Sequence, residues 1–225
     1  MRSHRYFIIL FILVCCTDIL GVALNISILH TIAKPLLMPV LIGWLYYSGT
    51  VPAKGLMLCG LFFSWLGDIA LLLEDKHALL FIAGLICFLI THICYIIYFG
   101  KLAAANTAPS LLRRLPWLAL LVTAYGISLV AFLYPKLGDL RLPVIVYATV
   151  ICTMLLFSIQ VFNKVNRTSG MLYLGGALFF VLSDSLLAIN KFYAAFTGAG
   201  VAIMLTYCAA QFCIVRGTIL LKPGI

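Results

Sequence analysis

Residues 77–99 read HALLFIAGLICFLITHICYIIYF, without one Lys, Arg, Asp or Glu. A helix needs about 20 mostly apolar residues to cross the hydrocarbon core of a bilayer. This stretch therefore reads as a transmembrane helix. Over all 225 residues, hydrophobic side chains make up 65% and charged ones 9%, and mean hydropathy is +1.20. A soluble domain carries about 25% charged residues, so a water-soluble fold is excluded. Disorder is excluded too, because disordered chains are poor in apolar residues. An integral membrane protein built of helices remains.

The same template, moved outward, gives eight spans, near residues 6–24, 34–49, 54–73, 77–99, 115–134, 142–162, 170–190 and 195–215. The breaks carry turn chemistry, as in Ser48-Gly49-Thr50-Val51-Pro52 and Tyr134-Pro135-Lys136-Leu137-Gly138-Asp139. The expectation is an all-α bundle forming a single membrane domain over 1–225. Lys34-Pro35 is read as opening the second span, since proline is tolerated at a helix start. Arg2 and Arg5 before an apolar run resemble a signal peptide, but no small-x-small cleavage site follows Cys16, so the first span is expected to stay.

The cations set an expected orientation. The N-terminus, three alternate loops and the C-terminus hold Arg2, Arg5, Lys54, Lys101, Arg113, Arg114, Lys164, Arg167, Arg216 and Lys222. The opposite side holds Lys34, Lys76, Lys136, Arg141 and Lys191. Both termini should be cytoplasmic. Short loops, and an end at Lys222-Pro223-Gly224-Ile225 with no retention signal, point to a bacterial inner membrane. The net charge is +9, but no basic cluster exceeds Arg113-Arg114, so no nucleic-acid partner is expected. Eight cysteines fall mostly inside the spans, with no Cys-x-x-Cys pair and no His/Cys zinc spacing. Neither a disulfide framework, a metal nor a cofactor is expected.

A shift of 116 residues carries Asp68 onto Asp184, Phe63 onto Phe179, Leu66 onto Leu182 and Gly84 onto Gly200. With four spans per half, this reads as two parallel repeats, 1–105 and 115–225. Six acids exist: Asp18, Asp68, Glu74, Asp75, Asp139 and Asp184. Glu74, Asp75 and Asp139 fall in loops. An acid within a span costs about 2.5–3.5 kcal/mol on insertion scales and marks function by default. Asp68 and Asp184, at duplicated positions, are the candidate catalytic pair; two neighbouring carboxyls in a low dielectric can divide into a general acid and a general base. A structural ion pair to Lys34 or Lys191 is the bland alternative. Asp18 has no counterpart in the second half and stands between site and structure. Supporting candidates are Ser183 beside Asp184, Lys191 seven residues on and so on the same helical face, Asn190, Lys34, His92 and Tyr95 one turn apart, Tyr147, and Tyr207 and Gln211 on one face of the last span. For these, helix–helix hydrogen bonding is the competing account.

Several segments in order carry a resemblance: Lys34-Pro35-Leu36-Leu37-Met38-Pro39, Phe63-Ser64-Trp65-Leu66-Gly67-Asp68, Phe81-x-x-Gly84-Leu85-x-x-Phe88-x-x-x-His92-x-x-Tyr95, Leu142-Pro143-Val144-x-x-Tyr147, Leu182-Ser183-Asp184-Ser185-Leu186-Leu187-Ala188 and Tyr207-x-Ala209-Ala210-Gln211-Phe212. The chain resembles the YhhN family of eight-span membrane proteins, whose characterised members are lysoplasmalogenases, from about residue 30 onward. The resemblance implies hydrolysis of the vinyl ether bond of a 1-alkenyl-glycerophospholipid to a fatty aldehyde and glycerophosphocholine or glycerophosphoethanolamine. It implies a lysophospholipid substrate, Asp68 and Asp184 sharing the metal-free acid and base roles in either order, Lys34 or Lys191 as phosphate contacts, Trp65, Trp44 or a Tyr over a choline, and His92 and Tyr95 as groups that orient the carboxylates.

Two other readings use the same acids. An intramembrane aspartyl protease conflicts with Trp65-Leu66-Gly67 before Asp68 and Ser183 before Asp184. A proton-coupled transporter would use the pair to carry protons and would show helices broken by Gly or Pro in both halves.

Overall fold

The protein is described over residues 2–221 in a computed structural model; Lys222 and the Pro223-Gly224-Ile225 end lie outside the described residues. The elements are α1 (Arg2–Ala23), α2 (Ser27–Tyr46), α3 (Lys54–Leu72), α4 (Ala78–Ala104), the four-residue α5 (Leu111–Arg114), α6 (Trp117–Leu133), α7 (Arg141–Val161), α8 (Arg167–Ala188) and α9 (Ala199–Ile219). Among the described residues there is no strand, and eight helices are long and apolar enough to cross a membrane. The all-α, eight-span expectation holds. The chain divides into two compact units, Met1–Tyr95 and Ile96–Ile225.

In the first unit the expected start of the second span is corrected. Helix α2 begins at Ser27, and Pro35 and Pro39 lie inside it. A proline within a helix leaves the carbonyl four residues earlier without its N–H donor. For Pro39 that carbonyl belongs to Pro35. Trp65 Nε1 of α3 fills the gap, donating to Pro35 O at 2.8 Å, so the helix continues where a proline reading ends it. The buried face of α2 runs Ala33, Leu37, Met38, Leu41, Trp44 and Leu45, a helical stripe.

Helices α1 and α2 form an antiparallel hairpin with a polar clasp near each end. Trp44 Nε1 donates to His4 Nδ1 at 2.9 Å, and His30 Nδ1 pairs with Asp18 Oδ1 at 2.8 Å. Close approach at the turn depends on Gly21, where a Cβ would stand 2.8 Å from both His30 N and Leu29 Cβ. Helix α3 packs on the first part of α4. Ser64 Oγ meets Thr91 Oγ1 at 3.1 Å, and Thr91 Oγ1 reaches Gly60 O at 3.0 Å. Lipid supplies no hydrophobic drive between helices, so such close packing and hydrogen bonds hold the spans together.

In the second unit α8 lies along α9. A Cβ at Gly176 would stand 2.9 Å from Ala210 O, and the two backbones meet there. Helix α6 packs on α7, but Trp117, Leu120, Leu121 and Ile127 are exposed, as suits a lipid-facing helix. Helix α8 does not end cleanly. A π-helical turn, Ile189–Tyr193, succeeds it and closes with Ala194 N donating to Ile189 O at 3.1 Å. A π turn holds more residues per turn than an α-helix, so the step from Asp184 to Lys191 is not purely α-helical.

Candidate active site

Asp68 stands on α3, four residues before its end at Leu72, and Asp184 on α8, four residues before its end at Ala188. Asp68 is buried, and its side chain is engaged in a polar or electrostatic interaction. Along α3 and α4, Gly60 faces Tyr95, Gly67 faces Phe88, Gly84 faces Leu71 and Ser64 faces Thr91. This antiparallel register sets Asp68 level with Cys87. His92 lies five residues further along α4, about 7.5 Å at the helical rise. Side chains lean towards the N-terminus of their own helix. In antiparallel helices that tilts Asp68 and His92 towards each other. His92 and Tyr95 are both wholly buried and engaged, and Tyr95 sits two turns from the level of Asp68, against Gly60.

Asp184 has a named donor. Tyr147 of α7 gives its phenolic hydrogen to Asp184 Oδ2, so two residues singled out in the sequence are brought together. Ser183 turns instead to α9, donating to Ile203 O at 3.1 Å. Tyr207 is buried one turn along from Ile203, edge-on to Phe180 at 5.7 Å between centroids. Gln211 is wholly buried one turn further. Asn190 accepts from Phe196 N at 3.3 Å and so helps fix the turn after α8. Lys191 is exposed in the π turn. Lys34 is half-buried on α2 and makes no ion pair among the described residues.

Two groups, Ser185 and His30, are not among the candidates the sequence offers. Ser185 donates to Val181 O at 2.6 Å and lies 2.7 Å from Tyr125 Oη, which ties α8 to α6 one residue past Asp184. Trp65, one of the residues read as a choline contact, gives its indole N–H to Pro35 O. His30 escapes notice, although a signal exists: Asp18 and His30 are equally far in sequence from Leu24, at the turn between their helices. An apolar cavity of about 580 Å³ between α6 and α7 is lined by Gly126, Ile127, Val130, Ile145, Thr149 and Cys152. It lies across α7 from Tyr147, so it is separate from the Asp184 pairing.

Asp184 is thus paired with Tyr147, while Asp68 and His92 are both buried on neighbouring helices, with about 7.5 Å of helical rise between their levels. Both carboxyls can hold or move a proton. Among the described residues, no three His, Cys, Asp or Glu side chains gather as a metal site would require.

The sequence pattern of the YhhN family matches residues 29–218. A Bos taurus protein named lysoplasmalogenase TMEM86A is 30% identical over 188 residues, 79% of this chain and 73% of that protein. Its Homo sapiens namesake is 32% identical over 164 residues, 71% of this chain and 63% of its own length. A Mycobacterium tuberculosis protein named lysoplasmalogenase is 32% identical over 146 residues, 61% of this chain and 50% of its own length. No solved structure matches.

Proposed function

Since the chain belongs to the YhhN family, we propose that it is a membrane-embedded hydrolase that cleaves the vinyl ether bond of lysoplasmalogens. The observation that carries the reaction is the similarity to relatives named lysoplasmalogenase. The substrate is a 1-alkenyl-glycerophospholipid, and the products are a fatty aldehyde and the glycerophospho-base.

The chemistry needs a proton donor and a carboxylate. Protonation of the distal vinyl carbon gives an oxocarbenium ion. Water adds to the cationic carbon and loses a proton, and the resulting hemiacetal collapses to aldehyde and glycerol hydroxyl. The division of labour parallels that of glycosidases. In this reading Asp68 gives the proton. Asp184, whose Oδ2 already accepts from Tyr147, serves as the carboxylate that steadies positive charge and receives the proton from water. His92, inclined towards Asp68, orients it. The carrier alternative asks for broken helices, whereas α2 runs on through both of its prolines and the other spans are likewise continuous among the described residues.

We place both termini on the cytoplasmic side of the membrane, on the excess of Lys and Arg in one set of loops. The direct test of the activity is aldehyde release from lysoplasmalogen by protein purified in detergent. Aldehyde formation supports the reading. Its absence from folded protein with both choline and ethanolamine headgroups contradicts it.

A further inference from the structure

The α1–α2 hairpin holds a charged group that the proposed reaction leaves unused. Asp18 is wholly buried, and its Oδ1 takes His30 Nδ1 at 2.8 Å. Its Oδ2 is buried with no hydrogen-bond partner among the described residues. His30 keeps 25% of its side chain exposed. An imidazole that gives Nδ1–H to a carboxylate is fixed in orientation and has Nε2 left for another partner. Lys34 is one turn on, on the same face of α2. It is half-buried and makes no ion pair among the described residues, a costly position for an ammonium inside a span.

The neighbouring helix fixes the height of this pair. Trp65 Nε1 on Pro35 O pins α3 beside this part of α2. Asp68 is three residues past Trp65, and Lys34 is one residue before Pro35. In antiparallel helices both steps run towards the α1–α2 turn. Asp68 and Lys34 therefore stand within about one helical turn of the same height.

We propose that His30 and Lys34 form the seat for the phosphate of the lysolipid headgroup, with Asp18 as the positioning residue that holds the imidazole. This rests on the reading of the chain as a lysolipid hydrolase. Residues at i and i+4 carry their Cβ atoms about 5–6 Å apart, a spacing that lets two donors share one phosphate. With the ring protonated, Asp18, His30 and Lys34 sum to one positive charge, against the single negative charge of a phosphodiester. Because only a glycerol separates phosphate from ether oxygen, a phosphate on this face of α2 brings the ether towards the height of Asp68. Helix α1 lies outside the stretch matched by the family pattern, so Asp18 is a feature of this chain that the family match does not supply.

The test compares binding of two non-hydrolysable lipids by tryptophan fluorescence: 1-alkyl-glycerophosphocholine and the phosphate-free 1-alkylglycerol. The variants are His30→Gln, which keeps an N–H for Asp18, Lys34→Gln, and Asp18→Asn. Each glutamine variant should lose about tenfold in affinity for the phospholipid and keep its affinity for the alkylglycerol, as expected for one charge-assisted hydrogen bond. In turnover the same variants should raise KM about tenfold with kcat within twofold, a split that a merely structural role would not give. Glutamine variants that keep the full preference for phosphate overturn the seat. So does inorganic phosphate competing as strongly as the phospholipid, because the seat would then serve free phosphate. The two readings fail separately: phosphate-dependent binding without aldehyde release sinks the hydrolase alone, and aldehyde release with unchanged KM in both glutamine variants sinks the seat alone.

Discussion

Asp184 accepts a hydrogen bond from Tyr147 across α7 and α8, and this single contact makes the role of each separable. Removing the phenolic hydroxyl in Tyr147→Phe takes away a donor to a carboxylate, an interaction worth about 1.5–3 kcal/mol. If the contact is needed to hold Asp184 in its working position, kcat falls about ten- to a hundredfold, with KM nearly unchanged; steady-state aldehyde release measures both. At Asp18 the expected loss is of stability. His30→Ala strands a buried carboxylate whose second oxygen is already unpartnered, and removing one member of a buried pair costs about 3 kcal/mol. Thermal unfolding in detergent should show a clearly lowered Tm for His30→Ala and a Tm close to the parent for His30→Gln. The acids themselves are legible in the sequence, because the bilayer makes any carboxylate inside a span conspicuous. Their partners are less so. Tyr147 is one of eleven tyrosines, and only the fold shows which helix face it occupies. Ser183 reads as a site residue because it adjoins Asp184, but adjacent residues in a helix point about 100° apart, and Ser183 serves α9.

Helix existence is readable wherever about 20 apolar residues run unbroken, and all eight spans are present. The boundaries that fail do so where backbone chemistry outweighs pattern. Pro35 reads as a helix start, yet it sits inside α2 because Trp65 answers the carbonyl that Pro39 leaves open. Trp65→Phe keeps the ring and removes that donor. The expected cost is about 1 kcal/mol, seen as a lowered Tm, with hydrogen exchange accelerated around residues 35–39. The π turn after α8, Ile189-Asn190-Lys191-Phe192-Tyr193, has no sequence signature that separates it from an ordinary polar helix end. Between α8 and α9, Gly176→Leu should be far more disruptive than Gly175→Leu. The first would drive a side chain into Ala210 and Ile214, whereas the second has open space around it. Yield of monodisperse protein in detergent separates the two.

For the whole molecule, the low charge content excludes a soluble fold, and the ordered series of short segments points to the family that the sequence pattern assigns. The proposed reaction draws its proton transfers from two carboxyls, so aldehyde release should be the same with and without EDTA; a fall on chelation would transfer the chemistry to a metal. The central claim is that Asp68 and Asp184 carry the vinyl ether hydrolysis. The most direct measurement is the initial rate of aldehyde release from lysoplasmalogen by the parent protein, Asp68→Asn and Asp184→Asn, purified identically and matched in Tm. The expected result is robust release by the parent and a loss of about a thousandfold in each variant, the scale of general acid–base catalysis. Near-parental rates in either folded variant would contradict it.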